Sequence, residues 1–263
     1  MTARQVIERI QRNVGVSWSS DTVDTFKAGD PETKVTGIAT TFAATYDVLQ
    51  RAAASGKNLI IAHEPTFYNH LDKLDEIPPG DPVLAEKRKF IDEHHLVVFR
   101  FHDHWHRRNP DGILEGMITA LGWSGYRSKA APNLFVMPET TLDRLATSIR
   151  GKMQIKTMRV IGDPAMRLTR IALLPGAAGS REQMELLERG DVDVLVIGET
   201  REWETAEYTR DAVSEGLKKA LIIMGHVPSE EAGMDECARW LKTVVPGIPI
   251  EYMPAGEPFW SPR

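Results

Sequence analysis

Short apolar runs alternate with stretches of helical periodicity along most of the chain. Val6, Ile7 and Ile10 recur at helical spacing among polar neighbours, which predicts an amphipathic helix over 2–13. Residues 14–33, with Gly15, Gly29, Asp30 and Pro31, read as an irregular connection. The β-branched run 35–42 predicts a strand, 43–54 a helix, and Leu59-Ile-Ile-Ala62 a buried strand that stops at His63-Glu64-Pro65. A polar excursion over 69–82 leads to a helix over 82–95, with Pro82 in its first turn. The apolar run 96–101 is the next strand, and the histidine-rich stretch after it reads as loop. Asp111 is placed to cap a helix over 113–121, and Gly122 to end it.

The second half repeats the alternation less regularly. Strands are predicted at 133–137, 158–161, 168–174, 193–197, 220–223 and 248–252, and helices at 141–151, 181–188, 203–217 and 230–242. In the last of these, Pro228 and Ser229 set the start at Glu230, with Ser229 as the cap. The loop Pro175-Gly-Ala-Ala-Gly-Ser180 lacks both the dinucleotide fingerprint and the P-loop lysine, and reads as a structural turn. Strand–helix–strand order of this kind belongs to an α/β fold with largely parallel strands.

Composition narrows the class without choosing a function. A chain of 263 residues with 42% hydrophobic and 26% charged residues is that of an ordinary globular protein. A net charge of −5 and a pI near 5.9 argue against general nucleic-acid or membrane-surface binding. With one cysteine, Cys237, placed in a helix as a buried thiol, no intramolecular disulfide forms. No secretory h-region or membrane-spanning run is visible, so a soluble cytoplasmic protein is expected.

The candidate chemistry lies where the apolar runs end. Three of the eight histidines, His102, His104 and His106, fall within five residues, with Asp103 between the first two. His63 and Glu64 close the strand at 59–62, Glu199 follows the strand at 193–197, and His226 follows that at 220–223, with Glu230 four residues on. Functional groups in open α/β sheets gather outside the carboxyl ends of parallel strands. Imidazole and carboxylate together form a ligand set for zinc, manganese, iron or nickel. His104 alternates away from His102 in an extended segment and is expected outside the ligand set. Arg107 and Arg108 are candidate contacts for an anionic substrate, and Glu199 or Glu204 for orienting a ligating imidazole.

The order of these groups, and above all Gly225-His226-Val-Pro-Ser-Glu230, resembles the Nif-three-like family. Its members are also called GTP cyclohydrolase type-two homologues or dinuclear-metal-centre hexameric proteins. The resemblance implies two intimately packed α/β lobes, here 1–125 and 126–263, with 220–263 returning to the first. It also implies a metal cleft at the strand C-terminal ends, holding one or two divalent ions, and a homohexameric ring. The ligand set it implies is His63, Glu64, His102, His106, His226 and Glu230. Two positions depart from the family pattern: Glu64 stands where a second histidine is expected, and His106 where an aspartate is expected. The exchange preserves ligand count and charge while moving the bridging carboxylate, so Glu64, Asp103 or Glu230 bridges, or a single metal binds.

The expected function is metal-dependent hydrolysis of a phosphate-containing or nucleotide-like small molecule by a metal-activated water, with Glu64 and Glu199 as catalytic carboxylates. The competing reading is a non-catalytic, metal-binding, ring-forming scaffold or regulator. A literal GTP ring-opening activity would need a guanine pocket and a basic triphosphate site, and neither is visible in the sequence.

Overall fold

The computed structural model describes residues 1–262, which form two compact units. The first comprises residues 1–115 and 233–255, and the second 116–232 together with the described residues from 256 on. The chain thus crosses between them within a helix at 115/116, rather than after 125, and the segment that returns is 233–255, not 220–263.

In order, the elements of the first unit begin with α1 (Ala3–Asn13), β1 (Phe26–Ala28), β2 (Ile38–Thr41), α2 (Tyr46–Ala54) and β3 (Leu59–Ala62). They continue with α3 (Pro82–Glu93), β4 (Val97–Arg100), α4 (Asp103–Arg107) and the start of α5 (Gly112–Leu121). The second unit contains β5 (Leu134–Thr141), α6 (Leu142–Met153), β6 (Arg159–Ile161), β7 (Arg167–Leu174) and α7 (Ser180–Glu188). After these come β8 (Val194–Ile197), α8 (Glu207–Ser214), β9 (Ala220–Ile223) and the first turns of α9 (His226–Val244), whose remainder, with β10 (Ile250–Tyr252), belongs to the first unit.

The first sheet runs β1-β4-β3-β2-β10, parallel throughout except for β1 at its edge. Its three central strands, β2, β3 and β4, are buried on both sides, as doubly covered parallel strands are. Ile38, Leu59, Ile61, Val97 and Phe99 face α1 and α9, while Ala39, Ile60, Ala62 and Val98 face α2 and α3. The second sheet runs β5-β7-β8-β9-β6, with a parallel centre and antiparallel edges. The runs at 158–161 and 168–174 therefore take opposite sides of β9 and β8 instead of pairing with each other.

Two local features depart from the sequence pattern. The connection 14–33 contains β1 and buries Asp24. The histidine-rich stretch is also not a loop, because α4 begins directly after β4. Asp24 causes this turn: its carboxylate accepts the backbone N–H of His102 at 2.7 Å, of Asp103 at 2.9 Å and of His104 at 2.9 Å. These are the N–H groups that a helix start leaves unpaired. The helix at 203–217 likewise opens as a π turn over Glu202–Ala206 before α8.

Trp105 of α4 is wholly buried and donates its indole N–H to Gly233 O at 3.2 Å. It lies so close to α5 that a Cβ on Gly112 would meet its ring at 2.1 Å. Gly112→Ala is therefore expected to cost about 1–3 kcal/mol of stability through overpacking. Urea denaturation measures it, and an unchanged midpoint would contradict this packing.

Candidate metal centre

Register in the first sheet sets the first group of donors. Ala62 pairs with Arg100, and Phe101 N donates to Ala62 O at 2.8 Å, so His63 emerges beside Phe101 and His102. Since α4 starts at once, His102 and His106 stand one helical turn apart on a shared face, with His106 N bonded to His102 O at 3.0 Å. Ligand nitrogens of His63, His102 and His106 all lie within 4.8 Å of one another.

Each ring is anchored through Nδ1. His63 Nδ1 meets Phe101 O at 3.2 Å, His102 Nδ1 meets Asp103 Oδ1 at 3.0 Å, and His106 Nδ1 meets Asp111 Oδ2 at 3.0 Å. Each partner is an acceptor, which places the proton on Nδ1 and leaves Nε2 as the lone-pair nitrogen. His63 Nε2 and His106 Nε2 then face each other at 3.2 Å. Two lone pairs at that distance repel unless a cation lies between them. Ligands about 2.0–2.1 Å from one metal are separated by roughly this distance. The donor set fits a divalent ion.

Electrostatics point the same way. Burial, reinforced by the neighbouring imidazoles of His63 and His106, pushes His102 down from the ordinary 6.5 to about 4, against the pull of Asp103 and Glu64. Burial opposes the charge on Asp103, yet hydrogen bonds from His102, Thr22 and Val23 hold its carboxyl at about 2. His102 is thus a neutral imidazole held by an ionised carboxylate at neutral pH, the state in which it ligates. Asp103 orients His102 through Oδ1, while its Oδ2 accepts from the Thr22 hydroxyl and Val23 N–H.

Glu64 sits 3.7 Å from His102 Nε2 and 3.4 Å from the guanidinium of Arg100. Arg100 is fully buried and also donates through Nε to His63 O at 3.1 Å and through Nη1 to His70 O. It fixes both the chain and the carboxylate at this strand end. Its one mark in the sequence is a charge inside an apolar strand run.

His104 is indeed outside the group, but for a different reason than strand alternation. It is buried, stacks on Trp18 with centroids 3.8 Å apart, donates to Asp24 Oδ2 at 2.7 Å and accepts from Ser19 N at 2.9 Å. Arg107 is exposed, and Arg108 lies over Trp105 and Trp240 at 5.1 and 5.5 Å as a packed cation. That stacking holds the Arg108 side chain against the two indoles. Glu204 pairs with Arg201 and Ser180 rather than with an imidazole. Cys237 is buried, and burial pushes its thiol pKa up.

The second unit gathers its own donors. Helix α9 starts at His226, not at Glu230, and Pro228 sits in the first turn, where no N–H is needed. Ser229 is consequently helical; its hydroxyl donates to His226 O at 2.7 Å and accepts Gly176 N–H at 2.9 Å. His226 and Glu230 share a helix face, with Nε2 to Oε2 at 3.1 Å, and Glu199 lies 3.5 Å from His226 Nδ1. Glu230 is buried over the glycine loop, and a Cβ at Gly176 would meet its Oε1 at 2.1 Å. The loop is a structural turn whose missing side chain makes room for that carboxylate.

Two α/β units with imidazoles and carboxylates at the carboxyl ends of parallel strands define the class. Over residues 1–255 the chain matches the model of the Duf34/NIF3 (NGG1p interacting factor 3) family, and it belongs to that family. It is 24% identical over 213 residues to a Clostridium acetobutylicum protein called GTP cyclohydrolase 1 type 2 homolog, spanning 77% of this chain and 75% of that relative. Among solved structures, Staphylococcus aureus hypothetical protein SA1388 superposes with a TM-score of 0.76 at 17% identity, over 99% of both chains. A Bacillus cereus protein related to NIF3 gives 0.76 at 13% identity, over 98% of both. These likenesses show the fold.

Folded His102 takes up its proton near 4 and the unfolded imidazole near 6.5, so between these values the unfolded chain binds more protons. Stability of the metal-free protein is therefore full above about 6.5 and falls as pH drops towards about 4, by about 1–3 kcal/mol from this group. In denaturation at stepped pH, His102→Gln should flatten that slope; an unaltered slope would refute the assignment.

Proposed function

We propose that this protein is a divalent-metal-dependent hydrolase acting on a phosphate-containing or nucleotide-like small molecule. The observation that supports it most is the set of three Nδ1-anchored histidines whose lone-pair nitrogens converge. In the first unit His63, His102 and His106 would hold the ion with Glu64 as a carboxylate donor; in the second, His226 and Glu230 are the donors that the family resemblance implies. A divalent ion so bound lowers the pKa of its water towards ~7. Glu64, kept in place by Arg100, is the carboxylate that would serve as base beside such an ion, and Glu199 would orient His226. The mixed nitrogen and oxygen donors suit zinc, manganese, iron or nickel.

Room for a substrate exists in the second unit, where a cavity of about 980 Å³ is lined by Glu199 and His226 at one side and by Arg150, Arg159 and Trp260 elsewhere. Guanidinium groups suit phosphate oxygens, and an indole face suits a flat ring. Among the described residues no helix is long and apolar enough to cross a membrane. A homohexameric assembly is carried as part of the same proposal, on the family resemblance.

The purified protein is expected to bind one or two divalent ions per chain and to hydrolyse a member of a phosphoester and nucleotide panel with added manganese or zinc. His102→Ala and His226→Ala should each lower metal content and turnover, while Arg107→Ala leaves metal content unchanged. A chain that binds no divalent ion at neutral pH ends the hydrolase reading, whereas binding with every substrate inert favours a ring-forming scaffold. Light scattering reads the subunit number in the same preparation.

The exchange between Glu64 and His106 yields a sharper test. Glu64→His and His106→Asp should each reduce metal affinity by about 10-fold or more, and the double variant should recover most of the loss. Losses that simply add would mean the two positions do not compensate each other.

A further inference from the structure

Away from the imidazole cluster, the first unit holds a cavity of about 480 Å³ between the start of α2 and the segment after Glu64. Its floor is Lys87 of α3, a residue only 4% exposed. The ammonium donates to Thr66 O at 2.6 Å and lies beneath the faces of Phe67 and Tyr68, at 5.9 and 5.0 Å. The nearby carboxylate, Asp72, is already engaged: Oδ1 accepts the N–H groups of Thr66 and Phe67, each at 2.7 Å, and Oδ2 faces the buried Lys27 at 3.4 Å. Burial lowers the Lys87 pKa to about 8, against the pull of Asp72, so the group remains largely charged at neutral pH.

A second polar atom waits at the same place. Thr66 is wholly buried and lines the cavity, and among the described residues its hydroxyl finds no hydrogen-bond partner. Such a group costs free energy unless a ligand satisfies it. Ala43, Ala44, Pro65 and the Tyr68 ring give an apolar side to the wall, with Thr45, Tyr46, Asn69 and His70 completing it. The Tyr68 backbone takes a left-handed φ of 64°, a conformation that functional loops retain at some cost.

We propose that this cavity binds a small monocarboxylate, its head group on Lys87 Nζ and Thr66 Oγ1 and its apolar body against Ala43, Ala44 and Tyr68. One ammonium and one hydroxyl supply a donor for each carboxylate oxygen. A phosphate would bring more charge and more oxygens than these two groups satisfy. The site is distinct from the imidazole cluster, and its readout needs no metal.

The test is calorimetric titration of the full chain with sodium butyrate and sodium benzoate, with 1-butanol and inorganic phosphate as comparators. Saturable binding of at least one carboxylate is expected, with butanol and phosphate inert. Lys87→Met should abolish it, and Thr66→Val, which keeps the side-chain shape, should weaken it about tenfold. Metal content should be the same in all three proteins. The proposal is overturned if neither carboxylate binds, if phosphate binds as well as they do, or if Lys87→Met retains the affinity. Should Lys87→Met fail to fold, an unchanged affinity in Thr66→Val overturns it alone.

Discussion

The turn out of β4 hangs on one buried carboxylate. Asp24 collects three consecutive backbone N–H groups and the imidazole of His104, and in doing so turns the chain from strand into helix within two residues. Had the chain continued extended, His102 and His106 would lie roughly 13 Å apart along the strand. Wound into α4, they share a face and meet His63 from the neighbouring strand. The imidazole cluster is therefore a consequence of a capping interaction supplied by a residue about eighty positions away in sequence.

A second layer of residues decides what those imidazoles are able to do. Phe101 O, Asp103 and Asp111 each take one Nδ1–H, which fixes the tautomer and aims the lone pair. Asp111 also accepts the N–H groups of Ile113 and Leu114 at the start of α5, so one carboxylate both starts a helix and orients a donor. Arg100 does comparable work for Glu64 and the carbonyl of His63. Loss of Arg100, which is fully buried, would leave the Glu64 carboxylate without its cation.

The second unit reaches a similar result with different means. Its strand ends carry glycines, and Gly176 and Gly198 leave the space that Glu230 and Ser229 fill. Ser229, which its sequence context marks as a helix cap, instead ties α9 back to the glycine loop. Two donors one helical turn apart, His226 and Glu230, are the outcome here as well.

Most of the secondary structure was legible in the sequence, because strands buried on both faces must be continuously apolar and the helices between them must carry one apolar stripe. Strands at 59–62 and 194–197 and helices at 82–93 and 181–188 follow from that rule alone. So did the candidate donors, since histidine and glutamate at strand ends stand out against apolar runs. What the sequence could not disclose was the work of residues whose partners are distant. Asp24 sits in a polar stretch with no periodicity, and Arg100 and Asp111 look locally like a misplaced charge and an ordinary cap. Packing also reversed a local reading, turning the histidine stretch into a helix. Local pattern determines which segments are buried; only the tertiary structure decides which buried hydrogen-bonding groups find each other, and the orientation of every donor depends on that.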